Sequence, residues 1–311
     1  RRLLENTASQ SFLRMSFAED LPADTLLASP KPPVHKEDAP DEDKSTQQPI
    51  RDFTGGGTLP PFVNEAVHRF TDEVERKAFA ASIEYVRGSL GQEYPLILNG
   101  VKVNKTKLAD SVNPAQPEEV IGRVALANKK DAEQAIEAAT SAFPAWRGLA
   151  VEKRAAFLIQ IAEQVRKRRD EFSAWQIFEA GKTWREADAD VVEAIDFLEY
   201  YAREAVRLSK QVNYNVPGEK NTYFYQPRGV GVVIAPWNFP LAILTGMLSA
   251  SIVSGNTVIL KPSSLTPVIA AKFMDLLCEA GLPDGVVNFL PGPGSEIGDY
   301  LVSHPRVNFI A

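Results

Sequence analysis

The chain has 311 residues, of which 44% are hydrophobic and 24% are charged, so it can bury a large core and has room for about two domains. Its 40 acidic and 34 basic residues give a formal net charge of -6, which excludes a general attraction for nucleic acid or an anionic membrane. A single cysteine excludes an internal disulfide framework, and no apolar run reaches membrane-spanning length, so we expect a cytoplasmic protein that acts on a small molecule.

Residues 1–61 differ in character from the rest of the chain. Apolar residues at helical spacing predict that residues 1–16 are the end of an amphipathic helix whose packing partner is absent from this sequence. Residues 17–61 are rich in Pro, Asp, Glu, Lys, Ser and Gly, which is typical of a mobile linker. The chain begins without a methionine and ends within a buried-strand pattern at residues 307–311, so we expect a fragment whose fold is incomplete.

Residues 62–228 are predicted to be mainly helical. The hydrophobic pattern predicts helices over residues 62–90, 130–143, 151–180 and 184–208, and Gly181 ends the third of them. Turns are predicted at Asn99-Gly100 and Asn113-Pro114, and a projecting hairpin over residues 212–228 with a break at Pro217-Gly218. The basic run at residues 166–169 is interpreted as a solvated helix face.

From residue 229 the pattern changes to alternating strands and helices. Near-continuous apolar runs predict strands over residues 230–235, 257–260, 286–290 and 307–310, and helices are predicted over residues 241–253, 267–280 and 295–303. This alternation is typical of a parallel sheet covered by helices on both faces. With right-handed crossovers, the sequence predicts a doubly wound, Rossmann-like α/β fold, preceded by helices and the linker.

The turn after the first of these strands carries a constrained side-chain amide. Asn238 lies between Pro236 and Pro240, and each proline restricts both its own φ angle and the residue before it. A held amide can donate a hydrogen bond to charge that develops on a substrate oxygen. Alternatively, Asn238 bonds only to the backbone of its own turn, which is the more common role of an asparagine beside a proline.

The next two strands end in residues that could bind a dinucleotide, because ligands of such sheets bind beyond the carboxyl ends of the strands. Lys261 could reach a ribose hydroxyl or a phosphate, although it could also be an ordinary surface lysine. Gly294 and Gly298 bracket the start of a helix whose free amides favour a pyrophosphate, although a glycine-rich turn is often only a turn. Ser264 lies where a carboxylate could have bound both ribose hydroxyls, so the sequence distinguishes NAD from NADP only weakly.

Other reactive residue types are predicted to have no catalytic role. Cys278 falls within a predicted helix among apolar residues and far from any histidine in sequence, so it is interpreted as an inert core thiol. The three histidines, His35, His68 and His304, lack the spacing of metal ligands, and no metal site is expected.

Three segments together resemble the aldehyde dehydrogenase superfamily from about residue 62 onwards. They are residues 229–240 (GVGVVIAPWNFP), 255–263 (GNTVILKPS) and 281–288 (GLPDGVVN). The resemblance implies that Asn238 stabilises the oxyanion of a thiohemiacetal and that NAD is the cofactor. It also implies a cofactor crevice formed by Ile234, Pro236, Trp237, Lys261, Ser264, Gly294 and Gly298.

Within that superfamily, residues 223–229 (YFYQPRG) and 181–184 (GKTW) resemble the dehydrogenases of L-glutamate γ-semialdehyde, also called 1-pyrroline-5-carboxylate. Residues 1–7 (RRLLENT) and 11–14 (SFLR) resemble the last helix of a proline dehydrogenase barrel, in which Arg1 and Arg2 would hold a carboxylate. By themselves, two arginines are more often a solvated helix face. Their order favours the bifunctional proline utilization A family, which implies FAD only in an upstream barrel and a homo-oligomer.

The resemblance also implies limits. The nucleophilic cysteine and the general-base glutamate of the family lie beyond residue 311, so we expect that this stretch alone does not oxidise an aldehyde. Two other interpretations remain open. The chain could belong to a different NAD(P)-dependent aldehyde dehydrogenase with an unrelated extension, or it could be a non-catalytic dinucleotide-binding or scaffold protein; the unfinished sheet edge argues against the second.

Overall fold

The computed structural model describes residues 50–53 and 57–311. The predicted helix over residues 1–16, including Arg1 and Arg2, and most of the predicted linker lie outside the described residues. The last part of that linker belongs to the folded unit. Strands β1 (Ile50–Phe53) and β2 (Gly57–Leu59) form an antiparallel pair, Leu59 is buried, and the carbonyl of Pro60 accepts a 2.9 Å hydrogen bond from the Arg203 side chain.

The remaining elements follow in chain order. The helices are α1 (Glu73–Arg87), α2 (Lys129–Gly148), α3 (Val151–Lys167), α4 (Arg169–Ala180), α5 (Trp184–Leu208), α6 (Ala242–Val253), α7 (Pro267–Glu279) and α8 (Asp299–Ser303). The strands are β3 (Gln92–Tyr94), β4 (Leu96–Leu98), β5 (Val101–Val103), β6 (Leu108–Asn113), β7 (Gln116–Ala125), β8 (Val212–Asn213), β9 (Thr222–Tyr223), β10 (Val230–Ile234), β11 (Thr257–Lys261), β12 (Val287–Phe289) and β13 (Val307–Ile310).

The first helix is shorter than predicted, because a side-chain cap fixes its start. The carboxylate of Asp72 accepts hydrogen bonds from the backbone N–H groups of Val74 and Glu75, so α1 begins at residue 73 instead of 62. The residues before it are held in a non-helical path by other helices. The N–H of Glu65, for example, donates a 2.7 Å hydrogen bond to Asp196 of α5.

The helix predicted over residues 151–180 is two helices, α3 and α4, with a break at Arg168, which has φ -108° and ψ 21°. Gly181 ends α4 in the left-handed conformation with φ 63°, as predicted. The prediction of a solvated basic face was only partly right. Arg169 is buried and its Nε donates a 2.6 Å hydrogen bond to Asp188, whereas Lys167 is exposed.

The central sheet has six strands in the order β13-β10-β11-β12-β4-β5. The first four are parallel, and the β4–β5 hairpin, turned by Asn99 and Gly100 as predicted, extends the sheet in antiparallel fashion. The chain proceeds outward from β10 to β12 and then returns to place β13 on the other side of β10. This reversal of direction is the switch point of a doubly wound sheet, where ligands bind. The predicted α/β fold is confirmed.

Both faces of the sheet are buried. Val233 and Leu260 point to the core that contains α3 to α7, while Val232 and Ile259 point to a second core against α2 and α8. This alternation explains why the strands read as continuous apolar runs. Outside the sheet, β8 and β9 form the predicted projecting hairpin, and Gly218 lies at its break with φ 87°. In residues 50–53 and 57–311, no helix combines the length and apolar character needed to cross a membrane.

Candidate functional site

The turns that follow β10, β11 and β12 lie side by side at the carboxyl edge of the sheet, as the sequence predicted. Ile234 and Lys261 are direct neighbours in parallel register, and the N–H of Ala235 donates a 3.2 Å hydrogen bond to the carbonyl of Lys261. Next along the edge, the N–H of Leu290 donates a 2.9 Å hydrogen bond to the carbonyl of Leu260. Backbone bonds therefore join the three predicted groups of site residues.

The turn after β10 presents Trp237 and Asn238 to solvent, while Pro236 is half-buried and Pro240 is buried beneath it. In the part of the chain that the structure describes, the Asn238 side chain has no hydrogen-bond partner, so it does not bond to its own turn. An amide with no internal partner, carried on a turn with two prolines, is free to donate to a ligand.

Lys261 is not an ordinary surface lysine, because only 7% of the residue is exposed. Among residues 50–53 and 57–311, its ammonium makes one long contact, of 3.5 Å, with the carbonyl of Pro262. Burial lowers the pKa of Lys261. A buried cation with two unused N–H donors fits a ligand that brings hydroxyl or phosphate oxygens to this strand end.

Ser264 and Trp237 line a cavity of about 280 Å³ together with Glu179, Leu265 and Thr266. Glu179 was not anticipated from the sequence. It is fully buried, and its carboxylate accepts hydrogen bonds from the hydroxyl of Ser111 at 2.7 Å and from two backbone N–H groups of α7. Burial outweighs these bonds and raises the pKa of Glu179 to about 7.

Gly294 and Gly298 bracket a single π-helical turn that leads into α8, so the predicted helix does not begin as a regular α-helix. The N–H groups of Glu296 and Ile297 both donate to the carbonyl of Pro293, at 3.0 and 3.1 Å. A Cβ atom built on either glycine meets no atom within 4 Å. Each glycine therefore leaves open space through which a ligand can approach the backbone.

A buried ion pair lies under the Asn238 turn and was also missed from the sequence. Lys182 binds the carboxylate of Asp190, a residue with 1% exposure, and the Lys182 ammonium lies 4.6 Å from the centre of the Phe239 ring. One signal was available, since Asp190 occupies the apolar stripe of α5, four residues before Ala194. A charge in such a stripe predicts a buried partner.

Two motif asparagines have structural roles. Asn256 accepts hydrogen bonds from the N–H groups of Arg228 and Gly229, at 2.6 and 3.0 Å, and so fixes the start of β10. Asn288 accepts one from the N–H of Asn99 at 2.8 Å and so holds the β4–β5 turn against β12. Each of these two sequence motifs therefore contains an asparagine that shapes the sheet.

The prediction that Cys278 is a core thiol was wrong, because the residue is exposed on α7. Partial burial, followed by the nearby Asp275 carboxylate, raises the pKa of Cys278. The thiol is thus held in its protonated, weakly nucleophilic form.

Comparisons with known proteins agree with the motifs. The sequence profile of the aldehyde dehydrogenase family matches residues 101–311. A 1-pyrroline-5-carboxylate dehydrogenase from Geobacillus thermodenitrificans is 54% identical over 252 residues, which cover 81% of this chain and 49% of the relative. The chain thus spans about half the length of the curated relatives it matches.

Solved structures give the same result. A 1-pyrroline-5-carboxylate dehydrogenase from Thermus with bound NAD has a TM-score of 0.78 and 47% identity, covering 81% of this chain and 49% of that chain. Proline utilization A from Bdellovibrio bacteriovorus has a TM-score of 0.78 and 37% identity, covering 99% of this chain and 31% of that chain.

Proposed function

Since this chain belongs to the aldehyde dehydrogenase family, we propose that residues 62–311 are the cofactor-binding part of an NAD-dependent L-glutamate γ-semialdehyde dehydrogenase. Relatives whose sequences are more than 50% identical to this chain are named for that activity. One observation carries the proposal. The Asn238 amide, which has no hydrogen-bond partner among the described residues, lies at the same sheet edge as the buried Lys261 ammonium, which makes one long contact.

The chain's own contribution to catalysis is to hold charge and position ligands. Asn238 donates its amide N–H to the aldehyde oxygen as negative charge develops there, after attack by a nucleophile that the family supplies from another segment. Its turn is already formed, so little reorganisation accompanies the reaction. This role is the family's assignment carried to the matching residue, and the open amide supports it.

The residues at the sheet edge fit a nicotinamide dinucleotide. Lys261 offers donors to a ribose or phosphate, Gly294 and Gly298 leave open space beside backbone, and Trp237 and Ile234 expose apolar surface at the strand end. Pro236 and Ser264 complete the proposed crevice. When bound, the nicotinamide supplies the hydride acceptor. The chain's residues orient it beside Asn238.

We also propose that the protein is a bifunctional enzyme of the proline utilization A type, with residues 1–16 as the end of a proline dehydrogenase barrel and residues 17–61 as its linker. The similarity to proline utilization A over 99% of this chain supports the proposal. Arg1 and Arg2 would then hold a substrate carboxylate in the barrel, where FAD would bind. A cytoplasmic homo-oligomer is part of the same proposal.

A second candidate is another aldehyde dehydrogenase that accepts NADP. The absence of a carboxylate at Ser264 favours it, because nothing at that position repels a 2′-phosphate. An NADP-dependent enzyme from E. coli shares the fold, with 29% identity and a TM-score of 0.67. A preference for NADP in the assay below would support this candidate.

The test uses the full-length protein that contains these residues. NADH formation is compared with L-glutamate γ-semialdehyde and with simple aldehydes, for the wild type and for Asn238→Ala. We expect the semialdehyde to be the best substrate and Asn238→Ala to lower kcat by about 100-fold to 1000-fold, the usual effect of losing an oxyanion donor. The dissociation constant of NAD should stay the same.

Asn104→Ala is the matched control, since Asn104 is also an exposed asparagine but follows β5 at the far edge of the sheet. It should retain full activity. A wild type that binds NAD and oxidises no aldehyde would contradict the proposed activity and favour a dinucleotide-binding protein. Equal losses in both variants would contradict the role of Asn238.

A further inference from the structure

Both side chains of the ion pair beneath the Asn238 turn are largely buried. Asp190 lies in the second turn of α5 with 1% exposure, and the Lys182 side chain that binds it is 10% exposed. The amide nitrogen of Gln176, oriented to donate, lies 3.1 Å from Asp190 Oδ2. Because burying a charged pair costs free energy unless further hydrogen bonds compensate, the remaining contacts of this pair indicate what it does.

One of those contacts is with the helix that follows the turn. Asp190 Oδ1 accepts a 2.7 Å hydrogen bond from the N–H of Ala242, the first residue of α6. The residue at the usual capping position, Leu241, offers no side-chain cap. Asp190 therefore caps α6 from a neighbouring helix, and its negative charge also interacts favourably with the positive end of the α6 dipole.

The second contact is with the turn itself. The Lys182 ammonium lies 4.6 Å from the centre of the Phe239 ring, a cation–π distance, and Phe239 directly follows Asn238. The turn is thus held at two points, the Phe239 ring and the Ala242 N–H. Asn238 lies immediately before these points, and its side chain makes no hydrogen bond to any residue that the structure describes.

We propose that the Lys182–Asp190 pair is the positioning element for Asn238, which sets the direction of its amide without touching substrate or cofactor. The inference rests on the proposed function, since it assigns how the oxyanion donor of that reaction is held. The physical argument is that an amide without its own partner takes its orientation from its backbone. That backbone is held by the buried pair in addition to its two prolines.

The same helix offers a matched control. Asp188 also has 1% exposure and also binds a buried cation of the preceding segment, because Arg169 Nε donates to Asp188 Oδ1 at 2.6 Å. This second pair holds residues 66–68 instead of the turn, since Arg169 donates to the carbonyl of Ala66 and the N–H of His68 donates to Asp188. The two carboxylates differ mainly in what they anchor.

The experiment compares Asp190→Ala with Asp188→Ala in the full-length protein, each alone and combined with Asn238→Ala, using any aldehyde that the wild type oxidises. Asp190→Ala should lower kcat by about 10-fold to 100-fold while KM changes little, because a displacement of about 1 Å at the donor costs that much. In the Asn238→Ala background it should cause no further loss of kcat. Asp190→Asn, which restores an acceptor for Ala242, should recover part of the rate.

Asp188→Ala should lower thermal stability and leave kcat as in the wild type. The proposal would be overturned if the kcat losses of Asp190→Ala and Asn238→Ala multiply in the double variant. Equal losses of kcat in Asp190→Ala and Asp188→Ala would also overturn it. If Asp190→Ala does not fold, Phe239→Leu tests the other anchor. That ring is partly exposed, and its loss should lower kcat in the wild type but not in the Asn238→Ala background.

Hydrogen exchange gives a readout that does not need activity. Peptides covering residues 236–246 should exchange faster in Asp190→Ala than in Asp188→Ala, because the Ala242 N–H has lost its acceptor. If Asp190→Ala exchanges faster but the wild type oxidises no aldehyde, the anchoring role of Asp190 is supported and the proposed function is rejected. Unchanged exchange in an active enzyme would reject the anchoring alone.

Discussion

The carboxylate of Glu179 accepts a 2.7 Å hydrogen bond from the backbone N–H of Val268, which joins the last turn of α4 to the first turn of α7. Ile269 donates a second bond at 2.8 Å and Ser111 a third. The Glu179 carboxylate thus connects α4 with strand β6 and with α7, the helix that follows β11. Trp237 and Ser264 of the proposed crevice line the same cavity, so the ionisation of Glu179 is linked to the site as well as to the fold.

This arrangement predicts a pH-dependent stability. The pKa of Glu179 rises from 4.5 to about 7 on folding, so the folded state binds its proton more tightly than the unfolded chain. The stabilisation is therefore complete below about pH 4.5 and is lost as the pH rises to about 7, by roughly 3 kcal/mol in all. In urea titrations between about pH 4.5 and about pH 7, the free energy of unfolding of Glu179→Gln should not show this decrease.

The control for Glu179 is Glu84→Gln, since Glu84 is an exposed glutamate on α1. It should leave the pH dependence of the free energy of unfolding as in the wild type. If the free energies of unfolding of Glu179→Gln and the wild type differ by the same amount at pH 4.5 and at pH 7, burial does not retain the proton on Glu179.

Lys261→Met is predicted to separate cofactor affinity from stability. Loss of a charge-assisted donor should weaken NAD binding by about 10-fold to 100-fold in calorimetry. Thermal stability should stay the same or rise, because the ammonium has only one long contact within the described part of the chain. Lys272→Met is the control, since Lys272 is a half-buried lysine that packs between Tyr94 and Trp175. Weakened NAD binding in the Lys272 variant alone would contradict the placement of the crevice.

Ser264→Glu is predicted to increase the preference for NAD over NADP. A carboxylate at this position would accept bonds from both ribose hydroxyls and repel a 2′-phosphate, so the ratio of dissociation constants should shift by about 10-fold or more. Ser264→Gln has a similar size without the charge and should shift the ratio much less. An equal shift in both variants would mean that shape, and not charge, decides the preference.

Gly298→Ala is predicted to stabilise the protein and to weaken cofactor binding. Gly298 has helical angles, φ -61° and ψ -61°, and an added Cβ meets no atom within 4 Å, so alanine should add up to about 1 kcal/mol of helix stability. The methyl group would occupy the space left for the ligand. Gly148→Ala at the end of α2, where a Cβ also meets nothing, should leave NAD binding unchanged. Unaltered affinity in Gly298→Ala would place the pyrophosphate elsewhere.

Features that depend on local sequence were predicted well. The bounds of α5 matched because Thr183 and Glu186 form a capping box in front of a long apolar stripe. The parallel sheet and the position of the three turns followed from apolar runs alone, and the family predicted from the motifs is confirmed by the matching profile. The roles of Asn238 and the crevice residues stay predictions.

Features that depend on tertiary pairing were not predicted. Residues 62–71 have a helix-compatible pattern, but ion pairs and hydrogen bonds from α3, α4 and α5 hold them in another path. The break at Arg168 lies between two stretches of similar pattern, so periodicity does not reveal it. The burial of Asp190 and Glu179 depends on partners from other elements, and only their place on apolar faces hints at it.

The β4–β5 hairpin has a consequence for the order of folding. Its partner in the sheet is β12, where Ile97 pairs with Phe289, about 190 residues later in the chain. Leu96, Ile97 and Leu98 are all buried in the finished sheet, so during synthesis this apolar hairpin must remain without its partner until β12 has been made. Such late, long-range pairing is slow and leaves the waiting segment prone to aggregation. The early hairpin is therefore the segment of this sheet for which chaperone protection matters most during translation.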